Sequence, residues 1–598
     1  MRGGLFASVT LLLAMAGSLG LMQAQGAPGE QVFKERCAGC HNGAADSRAP
    51  APEALRSRSP QAIVEILVNG GMRTQGARLT GAERRAVAKY LSGRSIDGDV
   101  SGAAKGLCTG AAIKSTSTTA SAWNGWSPRS DNARLQLARD AGLMPSDVPR
   151  LTLRWAFGFP DASSAWAQPS VADGVVYVGS QNGTVYALAA NTGCIFWTFA
   201  AMGGVRTAIT ISDTGLLYFA DTGANVYAVD ARTGARRWVR SVESHPLARV
   251  TGSPTLHDGR LYVPTSSYEE SQGADAQYAC CTFRGSVTAL DAATGAVVWK
   301  TYTIAREPQR RGTSTAGVPL WGPSGAAIWS APTVDARRGL LYVATGNLYS
   351  GPAHPAGNAV IALDLKSGAV RWSKQITSND IYLTGCRAGN PNCPDANGPD
   401  LDFGSPPMLA RAGDRDLIVI GQKSGIGYAL DPEKTGEIVW EYRAGRGGVL
   451  GGIEWGSAVD ADRAYFAVSD ITQPQPGGLH AVALATGQRA WFAPPQKPVC
   501  GSGRGCNAAQ SAAVTVIPGA VFSGSNDGAL RVYSTADGAI LWEFDTNREF
   551  TTVNGVTARG ASMIGPGPVV AGGMVFVSSG YGAFGGRPGN VLLAFGLP

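Results

Sequence analysis

The chain is short of charge and of long apolar stretches. Charged residues make up 16% of its 598 positions, the net charge is +7, and no basic run occurs, so nothing points to a nucleic-acid partner. An anionic surface or an acidic partner protein stays open. The low charge and the 80 glycines suit a turn-rich all-β protein, and the length leaves room for one further small domain. Beyond residue 26 no segment could span a bilayer. Residues 1–26 differ: Arg2, an apolar stretch from Leu5 to Leu21 and then Gln-Ala-Gln-Gly read as a secretory signal cut near Ala24 or Gly26, with an uncleaved anchor as the alternative. The expected location is the periplasm, with no transmembrane segment once the signal is removed.

What the sequence does have is a repeat. Trp155, Trp197, Trp238, Trp299, Trp372, Trp440, Trp491 and Trp542 recur at intervals of 41 to 73 residues. Most close one phrase, clearest as ALDAATGAVVW at 289–299 and returning as AVDARTGARRW at 228–238 and ALDLKSGAVRW at 362–372. Upstream of each lies an alternating apolar strand ending in a small-residue turn, as in GVVYVGSQNG and GLLYVATGN, the pattern of half-buried strands joined by hairpins. A unit of four short strands cannot bury its own faces, so the units must pack on one another. Eight of them predict an eight-bladed propeller over residues 122–598. Trp155 has no ALD phrase before it, and GNVLLAFGLP at the C-terminus has no tryptophan after it, so the last blade should draw on both ends of the domain. A parallel solenoid is the alternative, but its repeats are usually shorter and more uniform.

Ten cysteines in an exported chain fit an oxidising compartment. Cys386 with Cys393 and Cys500 with Cys506 each bracket a short loop. Cys280 and Cys281 are adjacent and bond either to each other or to different partners, and Cys108 and Cys194 are left over. Spacing alone does not fix the connectivity.

Cys37-Ala-Gly-Cys40-His41 is an attachment sequence for haem c, with two thioethers from the cysteines and iron bound by His41. Zinc would need two more ligands, yet no further His or Cys occurs before Cys108. Met72 lies between an apolar-periodic helix, Gln61 to Val68, and a second helix, Thr80 to Leu91. This resembles class I cytochromes c, whose axial methionine precedes the last helix, and it makes Met72 the expected sixth ligand rather than an ordinary core residue. The small all-α cytochrome domain is expected at 27–96. Residues 97–121, rich in Gly, Ala, Ser and Thr, read as a flexible linker.

A haem takes one electron at a time, and its natural partner is a two-electron organic cofactor. The repeated ALDxxTGxxxW phrase joined to a cytochrome c resembles the pyrroloquinoline quinone (PQQ) alcohol dehydrogenases from about Trp123 to the end. The phrase also occurs in non-enzymatic propellers, so each site residue has to be matched by itself. The resemblance implies calcium bound by Glu270, with Glu269 its neighbouring rival, and by Asn347. It places Trp329 as the ring on which the quinone stacks, Arg206 as the pair for a quinone carboxylate and Thr251 as a hydroxyl contact. Lys423 is the cation beside the quinone carbonyls. The same resemblance makes Asp402 the catalytic base and a further calcium ligand, with Asp400 as its rival. Calcium and cation would polarise the acceptor while the base takes the hydroxyl proton.

Two departures stand out. The family's vicinal cysteines should precede Arg206, where this chain has Phe199-Ala-Ala-Met, and its own pair lies one blade later. Lanthanide-using relatives carry an extra aspartate where this chain has Gly404, which favours calcium. An N-terminal cytochrome followed by WNGW, LRWAFGFP and CCTFRGSV resembles the polyvinyl alcohol dehydrogenase family. That implies oxidation of secondary hydroxyls on a polymer to ketones, with a soluble cytochrome c or other periplasmic acceptor. The alternatives are a dehydrogenase of small secondary alcohols or polyols, and a binding propeller with an electron-transfer haem.

Overall fold

The structure is a computed structural model that describes residues 28–44, residues 49–93 apart from 57, 59, 69, 70, 77, 78 and 80, residues 106–110, residue 113, and residues 123–598 apart from 388. The signal segment and most of the expected linker lie outside the described residues.

Eight antiparallel sheets form the propeller. Blades one to seven run in chain order as residues 170–200, 210–241, 248–302, 333–375, 408–443, 458–493 and 515–545. Blade eight combines Val569–Ala571, Met574–Ser579 and Val591–Gly596 with an outer strand from the other end of the domain, Thr152–Gly158. The two ends pair antiparallel from Thr152 opposite Gly596 to Gly158 opposite Val591. The ring closes by backbone hydrogen bonds, which removes the free edge that an open sheet would present.

The repeat phrase has a physical reason at each position. Its aspartate folds the turn: Asp230, Asp291 and Asp364 each accept hydrogen bonds from the backbone N–H and hydroxyl of Thr233, Thr294 and Ser367. Its glycine has positive φ and lies flat against the preceding blade's tryptophan. A Cβ on Gly193 would come within 2.8 Å of the Trp155 ring, and Gly295 meets Trp238 in the same way. Its tryptophan donates Nε1–H to a carbonyl of the next blade, Trp155 to Ala190 and Trp440 to Leu484, both at 2.8 Å. The phrase is thus a blade-to-blade joint, and this is why it recurs.

Residues 130–135 run past the innermost strands of four blades in turn. Backbone N–H groups of Val334, Leu409, Val459 and Val516 donate to Ser130, Asp131, Ala133 and Arg134. Arg134 is fully buried and donates to the Val514 carbonyl, Gln168 and Thr515, so its charge is met by oxygens on several elements. Trp126, just upstream, lines a small cavity with Trp166, Arg206 and Trp329.

The N-terminal domain is helical: α1 (Pro28–Arg36), α2 (Pro52–Arg56), α3 (Pro60–Val68), α4 (Arg73–Gly76) and α5 (Gly81–Ser92). Phe33, Ile63, Val64, Leu67, Val87, Ala88 and Leu91 form its core. No helix among the described residues is long and apolar enough to cross a membrane. Of the segment expected to be a linker, residues 106–110 are fixed to the propeller: Leu107 bridges Ile195, and Cys108 is bonded to Cys194.

Candidate active site and haem site

Turns from successive blades converge on an axial chamber of about 270 Å³ lined by Arg206, Thr251, Glu270, Trp329, Asn347, Asp400, Asp402, Lys423, Glu454 and Trp455, among others. Every propeller residue expected to take part borders this one space.

Asp402 is buried. Its carboxylate accepts from the Asn347 backbone N–H at 2.6 Å and from Trp329 Nε1–H at 3.0 Å. Gly346 makes this approach possible, since a Cβ there would meet the Asp402 carboxylate at 2.8 Å. Burial raises the Asp402 pKa, while the Lys423 charge and the Asn347 N–H oppose the rise. The Asn347 side chain is aimed by donating its amide to the carbonyls of Leu348 and Tyr382, at 2.8 and 3.0 Å. Its Oδ1 is buried and accepts from no protein group.

The two adjacent glutamates divide their roles. Glu269 is fully buried and accepts from Tyr278, Thr282 and Phe283, which ties down its own loop. Glu270 borders the chamber and accepts from the Thr384 hydroxyl at 2.7 Å. Burial, reinforced by Asp402, pushes Glu270 up to about 7. Carboxylates crowded around a single lysine, beside an orphaned amide oxygen, make a hard-oxygen donor set that suits calcium.

Lys423 forms an ion pair with Asp400. Burial alone would lower its pKa, but Asp400 and Asp402 more than reverse this, and the lysine stays charged. Arg206 stacks over Trp455, 4.4 Å from the ring centroid, and its Nη2 has no protein partner. Thr251 exchanges a hydrogen bond with Ser266 at 2.9 Å. Trp329 and Trp455 meet edge to face, 5.0 Å apart. Flat aromatic walls, an unpartnered guanidinium nitrogen and a buried cation fit a planar polyanionic cofactor such as PQQ. At Gly404 a side chain would collide with the Trp329 ring and the Glu454 carbonyl, so no extra carboxylate could be held there.

The vicinal pair Cys280–Cys281 is bonded to itself, and Cys386–Cys393 and Cys500–Cys506 are also closed. The vicinal sulfurs pack against Gly273, at the end of the one-turn helix Glu269–Gln272. They back the Glu270 segment and do not line the chamber.

In the helical domain a second cavity is lined by Phe33, Cys37, His41, Leu67, Met72 and Val87, among others. Cys37 and Cys40 are the cysteines outside the disulfides. His41 Nδ1 lies 2.8 Å from the Pro50 carbonyl, which fixes the ring and leaves Nε2 for a metal. A thiol, a histidine and a methionine around one apolar cavity, with the exposed Cys40 three residues along from Cys37, fit haem c.

Comparison with known proteins agrees. The repeat family PQQ_2, described as outer membrane protein assembly factor BamB, matches residues 150–442, 284–494 and 475–594. The family described as cytochrome C oxidase, cbb3-type, subunit III, matches residues 24–91. A polyvinylalcohol dehydrogenase of a Pseudomonas species is 39% identical over all of this chain and 97% of its own length. A second, from a Sphingopyxis species, is 38% identical over 95% of this chain and 92% of its own length. The chain belongs to the polyvinylalcohol dehydrogenase family.

Its cofactors as a quinoprotein dehydrogenase with a cytochrome c domain are PQQ and haem c. A quinohemoprotein alcohol dehydrogenase structure from Pseudomonas putida superposes with a TM-score of 0.58 at 18% identity, covering 82% of each chain, and so shares the fold. Sequence reasoning missed Glu454, a buried chamber carboxyl that burial raises to about 7, against the pull of Lys423. It also missed Arg249, which lies over Tyr268 at the chamber edge. Neither stands in a repeat phrase, and only the fold brings them inward.

Proposed function

We propose that the protein is a periplasmic dehydrogenase that oxidises secondary hydroxyls of polyvinyl alcohol to ketones and passes the electrons through haem c to a soluble cytochrome c. The observation that carries this reading is the Asp402 carboxylate, held by Trp329 and Asn347 at the wall of an open chamber. PQQ, when bound, supplies the two-electron acceptor.

The side chains do the rest. Asp402 accepts the hydroxyl proton as the carbon gives up its hydride, a transfer that an unassisted alcohol, being a weak acid, does not make at neutral pH. Glu270, Asn347 and Asp402 would hold calcium, which with the Lys423 charge would stabilise negative charge on the acceptor. Trp329 walls one face and excludes water, while Arg206 and Thr251 fix the position of anionic groups. The mouth carries Val449 and Phe584, 37% and 42% exposed, an apolar lip suited to the hydrocarbon backbone of a polymer. The N-terminal segment directs export, and residues 27–96 form the cytochrome domain.

The test is haem reduction in protein loaded with PQQ and calcium, offered polyvinyl alcohol, small secondary alcohols and primary alcohols in turn. Reduction by the polymer and not by primary alcohols is expected. Reduction by primary alcohols alone would refute the substrate assignment, and no reduction by any alcohol would refute the dehydrogenase reading.

A further inference from the structure

The helical domain touches the propeller through two consecutive arginines of α5. Arg84 is 2% exposed. Its guanidinium forks, donating Nη1–H to the Gly76 carbonyl at 2.9 Å and Nη2–H to the Asn182 carbonyl in blade one. Arg85 pairs with Asp161 at 3.1 Å, where the aspartate side chain is 4% exposed. The two acceptors are joined to each other, because Asn182 Nδ2–H donates to the carbonyl of Pro160, next to Asp161. They form one prepared surface.

The other branch of the Arg84 fork leads to the haem cavity. Gly76 closes α4, and its N–H donates to the Met72 carbonyl at 2.8 Å. Val87 and Leu91, one and two turns along α5 from Arg84, line the haem cavity. On the propeller side, Gly204 fits between the Gln181 carbonyl and the Trp166 ring, and Trp166 lines a small cavity together with the chamber residues Arg206, Trp329 and Trp455. Arg84 therefore spans from the methionine loop to the turn behind the chamber wall. A second anchor falls on the same blade: Cys194, bonded to Cys108, lies immediately before its outer strand Ile195–Ala200. A tether fixed beside the docking surface raises the local concentration of one domain at the other.

Resting on the dehydrogenase reading, we propose that the Asn182 turn of blade one, with the Pro160–Asp161 segment that leads into it, is the docking surface for the chain's own haem domain, and that Arg84 is the positioning residue that couples the Met72 loop to the propeller for electron transfer. Each hydroxyl oxidised to a carbonyl yields two electrons and two protons. The electrons cross this contact one at a time, each reducing one ferric haem to ferrous, and a ferric cytochrome c in solution reoxidises the haem between the two transfers. The protons leave to water. Removing this buried arginine takes from the Asn182 carbonyl its link to the helical domain, while the Gly76 carbonyl keeps only the Leu79 N–H at 3.1 Å.

The experiment compares Arg84→Ala, Arg84→Lys and the half-buried Arg85→Glu with the unmodified holoprotein. Three quantities are read: the rate of haem reduction by alcohol, the haem midpoint potential, and turnover with a dye that takes electrons from the propeller directly. Arg84→Ala should slow haem reduction by about tenfold or more and shift the potential, with dye-linked turnover kept. Arg84→Lys should recover only part, since one ammonium cannot reproduce the fork. Arg85→Glu should slow haem reduction with no change in potential. Unchanged haem reduction in both Arg84→Ala and Arg85→Glu would overturn the proposal. If alcohol oxidation itself is absent, hydrogen exchange at residues 181–184 still decides the docking: faster exchange in Arg85→Glu supports it, and equal exchange overturns it.

Discussion

Lys423 Nζ lies 2.6 Å from Asp400 Oδ1, and both side chains are 6% exposed. A buried pair of this kind loses about 3–5 kcal/mol when one partner is removed, because the other is left charged and unmet. Asp400 is therefore more than a rival of Asp402 in the same loop; it holds the chamber's lysine in place.

Two outcomes separate these aspartates. Asp402→Asn keeps volume but loses the proton acceptor, so turnover should fall by about 10²- to 10⁴-fold with haem content unchanged. Asp400→Asn should act on Lys423, lowering folding stability by about 3 kcal/mol with a smaller loss of turnover. Steady-state kinetics and urea unfolding check both, and a dead Asp400→Asn beside an active Asp402→Asn would reverse the roles.

Calcium should raise the melting temperature of the quinone-free protein, since it neutralises the Glu270 and Asp402 carboxylates whose burial Lys423 offsets only in part. Asn347→Ala removes the orphaned amide oxygen and should weaken that response. Calorimetric titration measures it, and an unchanged affinity would remove Asn347 from the ligand set. A strong chelator should abolish alcohol oxidation while the haem spectrum persists, because thioethers hold one cofactor and oxygen ligands the other.

Glu454 gives a pH signature. Its folded pKa, pushed up to about 7 by burial, exceeds the unfolded value, so the folded state binds the extra proton between the two. The sign follows: its contribution is fully favourable below the unfolded pKa of about 4.3 and is lost as pH rises to about 7, a cost on the order of 3 kcal/mol. Glu454→Gln should flatten this loss in quinone-free protein, as urea unfolding at about pH 5 and about pH 8 will show.

Met72→Ala should leave reduction of the quinone by alcohol intact and change the haem spectrum and potential, because a methionine opposite histidine raises the potential. An unchanged ferrous spectrum and potential would exclude Met72 as the axial ligand.

The sequence made the propeller legible because the joint between blades is local in sequence: an aspartate, a glycine and a tryptophan within one phrase. The haem motif was legible for the same reason. The chamber was legible only through family resemblance, since QKSG around Lys423 and TGN around Asn347 look like ordinary hairpin turns. Glu454, Arg84 and the residues 130–135 that pass four blades were not legible at all. Their roles come from partners on distant elements, such as Arg84 with Asn182 or Arg134 with Val514 and Thr515, and no local pattern encodes such partners.

The pairing of Thr152–Gly158 with Val591–Gly596 also sets a clock. The outer strand of blade eight is synthesised more than four hundred residues before its partner, and a contact that remote is slow to form. Until the last strand arrives the ring stays open, with two unpaired edges and an incomplete axial chamber. A nascent chain in this condition is exposed to aggregation, but it also remains unlocked, the form a chain must keep if it is to be threaded across a membrane before it folds.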